Sequence, residues 1–135
     1  MLNFASERTI DVKAKTMLYW TATSLIALET FAGGVIDLTH GRTGVVSGPF
    51  VTQVVTSLGY PVYLLAILGI FKIPGAITLV VPGFLRLKEW AYAGAFFEMT
   101  GATASHVIYR DAGWQTQTIL TLCFAALTVA SWALR

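Results

Sequence analysis

Four long apolar stretches alternate with short polar connections along the chain. Residues 17–36, 60–81, 90–108 and 116–134 are each long enough, as helices, to cross a hydrocarbon core about 30 Å thick. The pattern predicts an all-α membrane protein, a four-transmembrane-helix up-down bundle over residues 17–135, with residues 1–16 as a cytoplasmic amino-terminal segment. Between the first two spans, Ser47-Gly48-Pro49 reads as a helix start, and Val51, Val54, Val55 and Leu58 recur at i, i+3, i+4 and i+7. This predicts a short amphipathic helix in the first outer loop, resting on the membrane interface.

Polar residues interrupt the apolar pattern at Glu29, Lys72, Glu98 and His106. A charge near the bilayer centre costs roughly 2.5–3.5 kcal/mol, so such groups are expected to face one another or a polar cavity. At 1.5 Å per residue, Glu29 lies roughly 18 Å and Glu98 roughly 12–15 Å into their spans, with Lys72 at a similar depth. Glu29, Gly33 and Asp37 share one helix stripe, as do Gly94, Glu98, Gly101 and Ser105, and the small residues predict close helix approach. Asp37 and His106 fall toward the outer end. Within Lys72-Ile73-Pro74-Gly75 the proline removes a backbone bond and clashes with the Ile70 carbonyl, which predicts widening beside Lys72. Glu29 and Glu98 outnumber Lys72, so one acid is expected to carry a proton. The alternative use of these residues is a purely structural ion pair.

Composition agrees with burial in lipid: 56% of residues are hydrophobic and 12% charged, well below the roughly 25% charged of soluble domains. Arg8, Lys13, Lys15, Arg86, Lys88 and Arg135 fall on one side of the predicted topology, against Arg42 and Arg110 on the other. The positive-inside rule then puts both termini in the cytoplasm. Trp20, Trp90 and Trp132 mark the inner interface, and Tyr60, Tyr63, Tyr109 and Trp114 the outer. Glu29 interrupts the first span and no small-residue cleavage site follows it, so that span is expected to be retained rather than removed as a signal. The net charge of +2 is accounted for by topogenic residues and calls for no nucleic-acid partner. Cys123 is alone, which excludes an intrachain disulfide or C-x-x-C relay; it is expected to be a buried small residue. No Cys/His/Asp spacing reads as a metal site, and no catalytic residue can be assigned.

The combination of Tyr19-Trp20, Glu29-x3-Gly33-Gly34-x2-Asp37, Leu58-Gly59-Tyr60-Pro61-x-Tyr63, Ile67-Leu68-Gly69-x2-Lys72, Pro82-Gly83-x2-Arg86-Leu87-Lys88-Glu89-Trp90 and Gly101-Ala102-x2-Ser105-His106 resembles the DoxX-like family over about residues 17 to 134. The resemblance implies a small four-helix protein of the bacterial inner membrane with a polar core, among relatives linked to membrane redox chemistry and to assembly. It carries over no catalytic residue. The expected function is binding of a small lipophilic molecule, a quinone or other isoprenoid, by Glu29, Asp37, Lys72, Glu98 and His106, with Phe31, Phe71, Phe96 and Phe97 lining the pocket. Redox chemistry would then require a partner protein to supply electrons. Two other functions compete: noncatalytic membrane assembly, and proton-coupled transport by a homo-oligomer.

Overall fold

A computed structural model describes residues 2–40 and 50–135, with side chains from Thr9 onward. The described residues form helices α1 (Leu2–Leu38), α2 (Phe50–Ser57), α3 (Tyr63–Val80), α4 (Leu85–Tyr109) and α5 (Trp114–Leu134), with no strand among them. Three helices contain segments long and apolar enough to cross a membrane: Thr9–Leu38, Tyr63–Val80 and Trp114–Leu134. Helix α4 has the length but not the apolarity, because it carries Lys88, Glu98, Ser105 and His106 in its interior. Those groups turn inward, while Trp90, Phe97, Val107 and Ile108 on the same helix are exposed.

Local backbone chemistry sets the helix ends. Val81 is extended, as expected for the residue before Pro82, and Gly83 adopts a positive φ of 99° in the turn to α4. At the far end of α4, Arg110 is left-handed and its N–H reaches the His106 carbonyl. Both turns are short, so α3, α4 and α5 run antiparallel in succession. Lys88 is expected from its position to be a topogenic charge at the interface. Instead it is buried, and its Nζ donates to the Leu79 carbonyl at 2.9 Å, satisfying one of the last acceptors of α3.

The four long helices pack as a ring in the order α1, α3, α4, α5. The α1–α3 seam is the closest, for a reason visible in its glycines. A Cβ on Gly34 would stand 2.8 Å from Lys72 Cβ, and one on Gly69 would stand 2.5 Å from Leu38 Cγ. Small residues here bring backbones together, as membrane helices require when lipid supplies no hydrophobic drive. In α4 the expected small-residue packing is absent, since a Cβ on Gly94 or Gly101 would meet nothing within 4 Å. The α3–α4 seam is the loosest of the four. Helix α3 continues through Pro74 without a break.

Near the end that carries both termini, Ile26, Ala27, Leu79, Tyr92 and Ala95 form the buried core, with Leu127 against it. A hydroxyl cluster crosses the same level: Ser131 Oγ lies 2.7 Å from Thr23 Oγ1 and 2.9 Å from the Tyr92 hydroxyl. It ties α1, α4 and α5 together. The expected helix before the second span is α2, which buries none of its own residues; the Ser47-Gly48-Pro49 start lies outside the described residues. The chain following α2 is the part that docks. Leu58 is buried, Gly59 sits against the Tyr109 hydroxyl, and the Tyr60 hydroxyl lies 2.9 Å from Ser105 Oγ. Cys123 is exposed on the outer face of α5 and is not the buried residue expected, because its stripe of α5 faces away from the ring.

Candidate functional site

The i, i+4, i+8 spacing on α1 places Glu29, Gly33 and Asp37 along the face turned to α3, and Lys72 lies opposite them. Lys72 Nζ is 2.8 Å from Asp37 Oδ2 and 2.6 Å from Glu98 Oε1, so a single ammonium bridges α1, α3 and α4. The three side chains are 11%, 8% and 20% exposed, which removes most of the water that would otherwise screen them. Glu29 belongs to the same group. A Cβ on Gly33 would lie 3.3 Å from Lys72 Nζ and 3.6 Å from Glu29 Oε1, so the absence of a side chain there leaves room for both. Among the described residues, the Glu29 carboxylate accepts only a long hydrogen bond, 3.4 Å, from Thr30 Oγ1.

Three carboxyl groups thus surround one ammonium. Two are directly paired, and Glu29 is the surplus acid. Such a cluster can hold a proton in addition to its ion pairs, or accept a hydrogen bond from a bound molecule, at little reorganisation cost.

His106 stands apart from this cluster. Its Nδ1 is 2.8 Å from Asp111 Oδ1, and both side chains are buried. The cause is the left-handed Arg110, which folds the chain back after α4 so that Asp111 meets the preceding turn. Asp111 carries no sequence signal of its own, since an aspartate just after a helix is an ordinary turn residue.

A cleft of about 410 Å³ opens along the loose α3–α4 seam. Lys72 and Glu98 stand toward one end; Phe71, Leu68, Pro74 and Trp90 are among its walls. Phe71 and Trp90 are 72% and 73% exposed, so the cleft opens sideways, toward the surface where lipid would lie. The expected aromatic lining is therefore divided. Phe71 lines this cleft, whereas Phe96 and Phe97 line a smaller cavity of about 230 Å³ between α4 and α5, and Phe31 lines neither. Thr30, Thr78, Gly75 and Gly94 also line the cleft, and only their position on facing helices reveals it.

At the mouth of the smaller cavity, Glu89 accepts a hydrogen bond from Trp132 Nε1 at 2.9 Å and pairs with Arg135. The Trp132 hydrogen bond first, and the Arg135 guanidinium with it, hold the Glu89 carboxyl below the usual glutamate range. Among the described residues no group of His, Cys, Asp and Glu is arranged to hold a metal ion.

Long apolar helices whose outer faces are aromatic and aliphatic, closed around an internal cluster of charges, define a helical membrane protein with a polar core. The chain belongs to the DoxX-like family, whose model matches residues 21–131, from the bundled part of α1 almost to the end of α5. No curated protein and no solved structure matches it.

Proposed function

We propose that the α3–α4 cleft binds a small lipophilic molecule with a carbonyl or hydroxyl head, a quinone being the simplest chemical fit, and that α4 is the fourth span of the bundle. The observation that carries this reading is the placement of Lys72 and Glu98 toward one end of a lipid-facing cleft whose other walls are largely apolar. An ammonium has three N–H donors, and ion pairing to Asp37 and Glu98 accounts for two. In this reading the third donates to a ligand oxygen. Glu98, 20% exposed, lines the same cleft; Glu29, behind Lys72, would give up a proton when the ligand gains electrons from the redox partner, or accept one when the ligand returns those electrons.

In this reading the basic residues at the terminal end face the cytoplasm of a bacterium, and the protein lies in its inner membrane. Cys123 has no cysteine partner in the chain, so electrons would come from a redox partner protein. The test is mass spectrometry of lipids extracted from the purified protein, with melting temperatures measured with and without a short-chain quinone. A co-purifying carbonyl lipid, and a ligand-dependent rise in melting temperature that Glu98→Gln abolishes, are expected. Absence of both sinks the proposal.

One observation favours a second reading, that of a noncatalytic assembly partner. The part of α1 before residue 17 precedes the first span, and Ile10 and Val12 on it are both more than 60% exposed. Deleting this part would abolish partner recruitment in the second reading and leave quinone binding intact in the first.

A further inference from the structure

The smaller cavity between α4 and α5 has no part in the function proposed above, and its walls and its mouth differ in chemistry. On α4, Glu89, Tyr92, Phe96 and Phe97 recur at i, i+3, i+7 and i+8, and Val129 and Trp132 of α5 face them, so one stripe of each helix lines it. Phe97, Val129 and Trp132 are also exposed on the outer surface, so the cavity opens sideways toward lipid. Its volume of about 230 Å³ falls short of the roughly 300–1,000 Å³ that encloses a whole small ligand. A single apolar chain that continues into the bilayer suits it better. At 1.5 Å per residue the α4 stripe runs roughly 10–12 Å from Glu89 to Phe96 and Phe97, along the helix and hence along the direction of lipid chains.

The mouth is polar and is held in place by the walls. Arg135 pairs with Glu89, and its guanidinium carbon stands 5.9 Å from the centre of the Tyr92 ring, while Trp132 Nε1 donates to Glu89. Tyr92 and Trp132 themselves line the cavity, so the two charges are fixed where it meets water. Neither charge is saturated. A carboxylate has about four lone-pair sites and a guanidinium five N–H donors, of which these contacts use one per oxygen of Glu89 and one N–H of Arg135. The Glu89 side chain is 47% and that of Arg135 25% exposed, so both are reachable from the membrane interface.

We infer that the α4–α5 cavity is a binding site for a phospholipid with a primary-amine head: one acyl chain lies against Phe96, Phe97 and Val129, the phosphate meets Arg135, and the ammonium meets Glu89. The site requires α4 to span the membrane, as proposed above, and does not depend on what the α3–α4 cleft binds. Charge complementarity selects the head, because an amine and a phosphate bring one cation and one anion to a mouth that offers one of each. An anionic head without an amine would set its phosphate beside the Glu89 carboxylate with no cation of its own to offset it. The trimethylated ammonium of a choline head has no N–H to donate to that carboxylate. Trp132 belongs at the level where indoles sit in a bilayer, which puts the head at its ordinary depth.

The test reconstitutes the full chain in nanodiscs of equal parts phosphatidylethanolamine and phosphatidylcholine with matched acyl chains, and counts the lipids that stay on the protein by native mass spectrometry. The wild type should retain phosphatidylethanolamine over phosphatidylcholine by about two- to fivefold, the scale of a solvated charge pair. Glu89→Gln should abolish that preference, and Arg135→Gln should lower retention of both lipids. Ala93→Leu fills the cavity from an exposed position of α4 and should lower retention of both while melting as the wild type does. Val129→Phe fills it from α5, so the result does not hang on the folding of one variant. Soluble phosphoethanolamine should not displace the retained lipid, because it lacks the chain. Equal retention of the two lipids by the wild type overturns the site, as does a preference that survives Glu89→Gln. Retention unchanged in both cavity-filling variants would mean annular lipid only, and displacement by phosphoethanolamine would mean a head-group contact without the cavity; either overturns it. The melting shift produced by a short-chain quinone should be the same in Ala93→Leu as in the wild type. Its loss there would make this cavity the quinone site and overturn the phospholipid assignment, whereas its absence from the wild type would count against the α3–α4 reading alone.

Discussion

Lys88 Nζ donates to the Leu79 carbonyl from a buried position, fastening the start of α4 to the end of α3 from inside the hairpin. An ammonium at a helix C-terminus is favoured by the exposed carbonyls and by the helix dipole. Lys88→Met should lower stability by about 1.5–3 kcal/mol, the range for a hydrogen bond to a charged group. Arg86→Gln removes the same charge two residues away from an exposed side chain and should leave the unfolding midpoint unchanged. Denaturant titration in detergent distinguishes them, and equal effects would mean that Lys88 acts only through net charge.

The Lys72 cluster predicts a graded rescue. Lys72→Met leaves Asp37 and Glu98 buried without their cation and should cost about 3–5 kcal/mol. Adding Glu98→Gln should recover part of the loss, and adding Asp37→Asn as well should recover more, since each substitution removes one uncompensated charge. Strict additivity across the series in thermal unfolding would show that the three groups are not coupled.

The convergence of Glu29, Lys72 and Glu98 was legible in the sequence because charge inside an apolar run has few stable destinations. Asp37 was legible because it shares a stripe with Glu29, although its direct pairing with Lys72 depends on how deeply α1 and α3 interlock at Gly34 and Gly69. Helix spacing could not reveal that His106 would turn to Asp111, because the contact is made through a left-handed residue beyond the helix end. Lys88 was misread for a related reason: a lysine beside a turn is the ordinary interfacial residue, and only the three-dimensional path of the hairpin carries it inward. The cleft had a partial signal in Pro74, whereas its glycine floor looked like helix-packing sequence and is open space.

Ser131 is the shared partner of Thr23 and Tyr92, so it should matter more than either. Thr23 has a second partner in the Tyr19 carbonyl, 2.7 Å away, and Tyr92→Phe leaves the Ser131–Thr23 contact in place. Ser131→Ala should cost about 1–3 kcal/mol because it strips a partner from a buried hydroxyl on each of two neighbouring helices. Tyr92→Phe should cost less. A larger loss from Tyr92→Phe, measured by thermal unfolding, would place the importance of this level in ring packing rather than in the hydroxyl cluster.

Glu89 gives the last prediction a definite sign in pH. Its carboxyl is held below the ordinary glutamate range in the folded protein, first by the Trp132 hydrogen bond and then by Arg135. A group whose folded value is depressed contributes stability that is fully present above its unfolded value and is lost as pH falls through the folded one. Acid titration should therefore weaken the α4–α5 contact in the window just below the usual glutamate range, with a change in Trp132 fluorescence at the same pH. Glu89→Gln should flatten this acid limb. Trp132→Phe should remove more of it than Arg135→Gln, because the indole hydrogen bond is the larger cause and the arginine pairing is largely solvated. The opposite order, or an acid limb unchanged in Glu89→Gln, would assign the transition to another carboxylate.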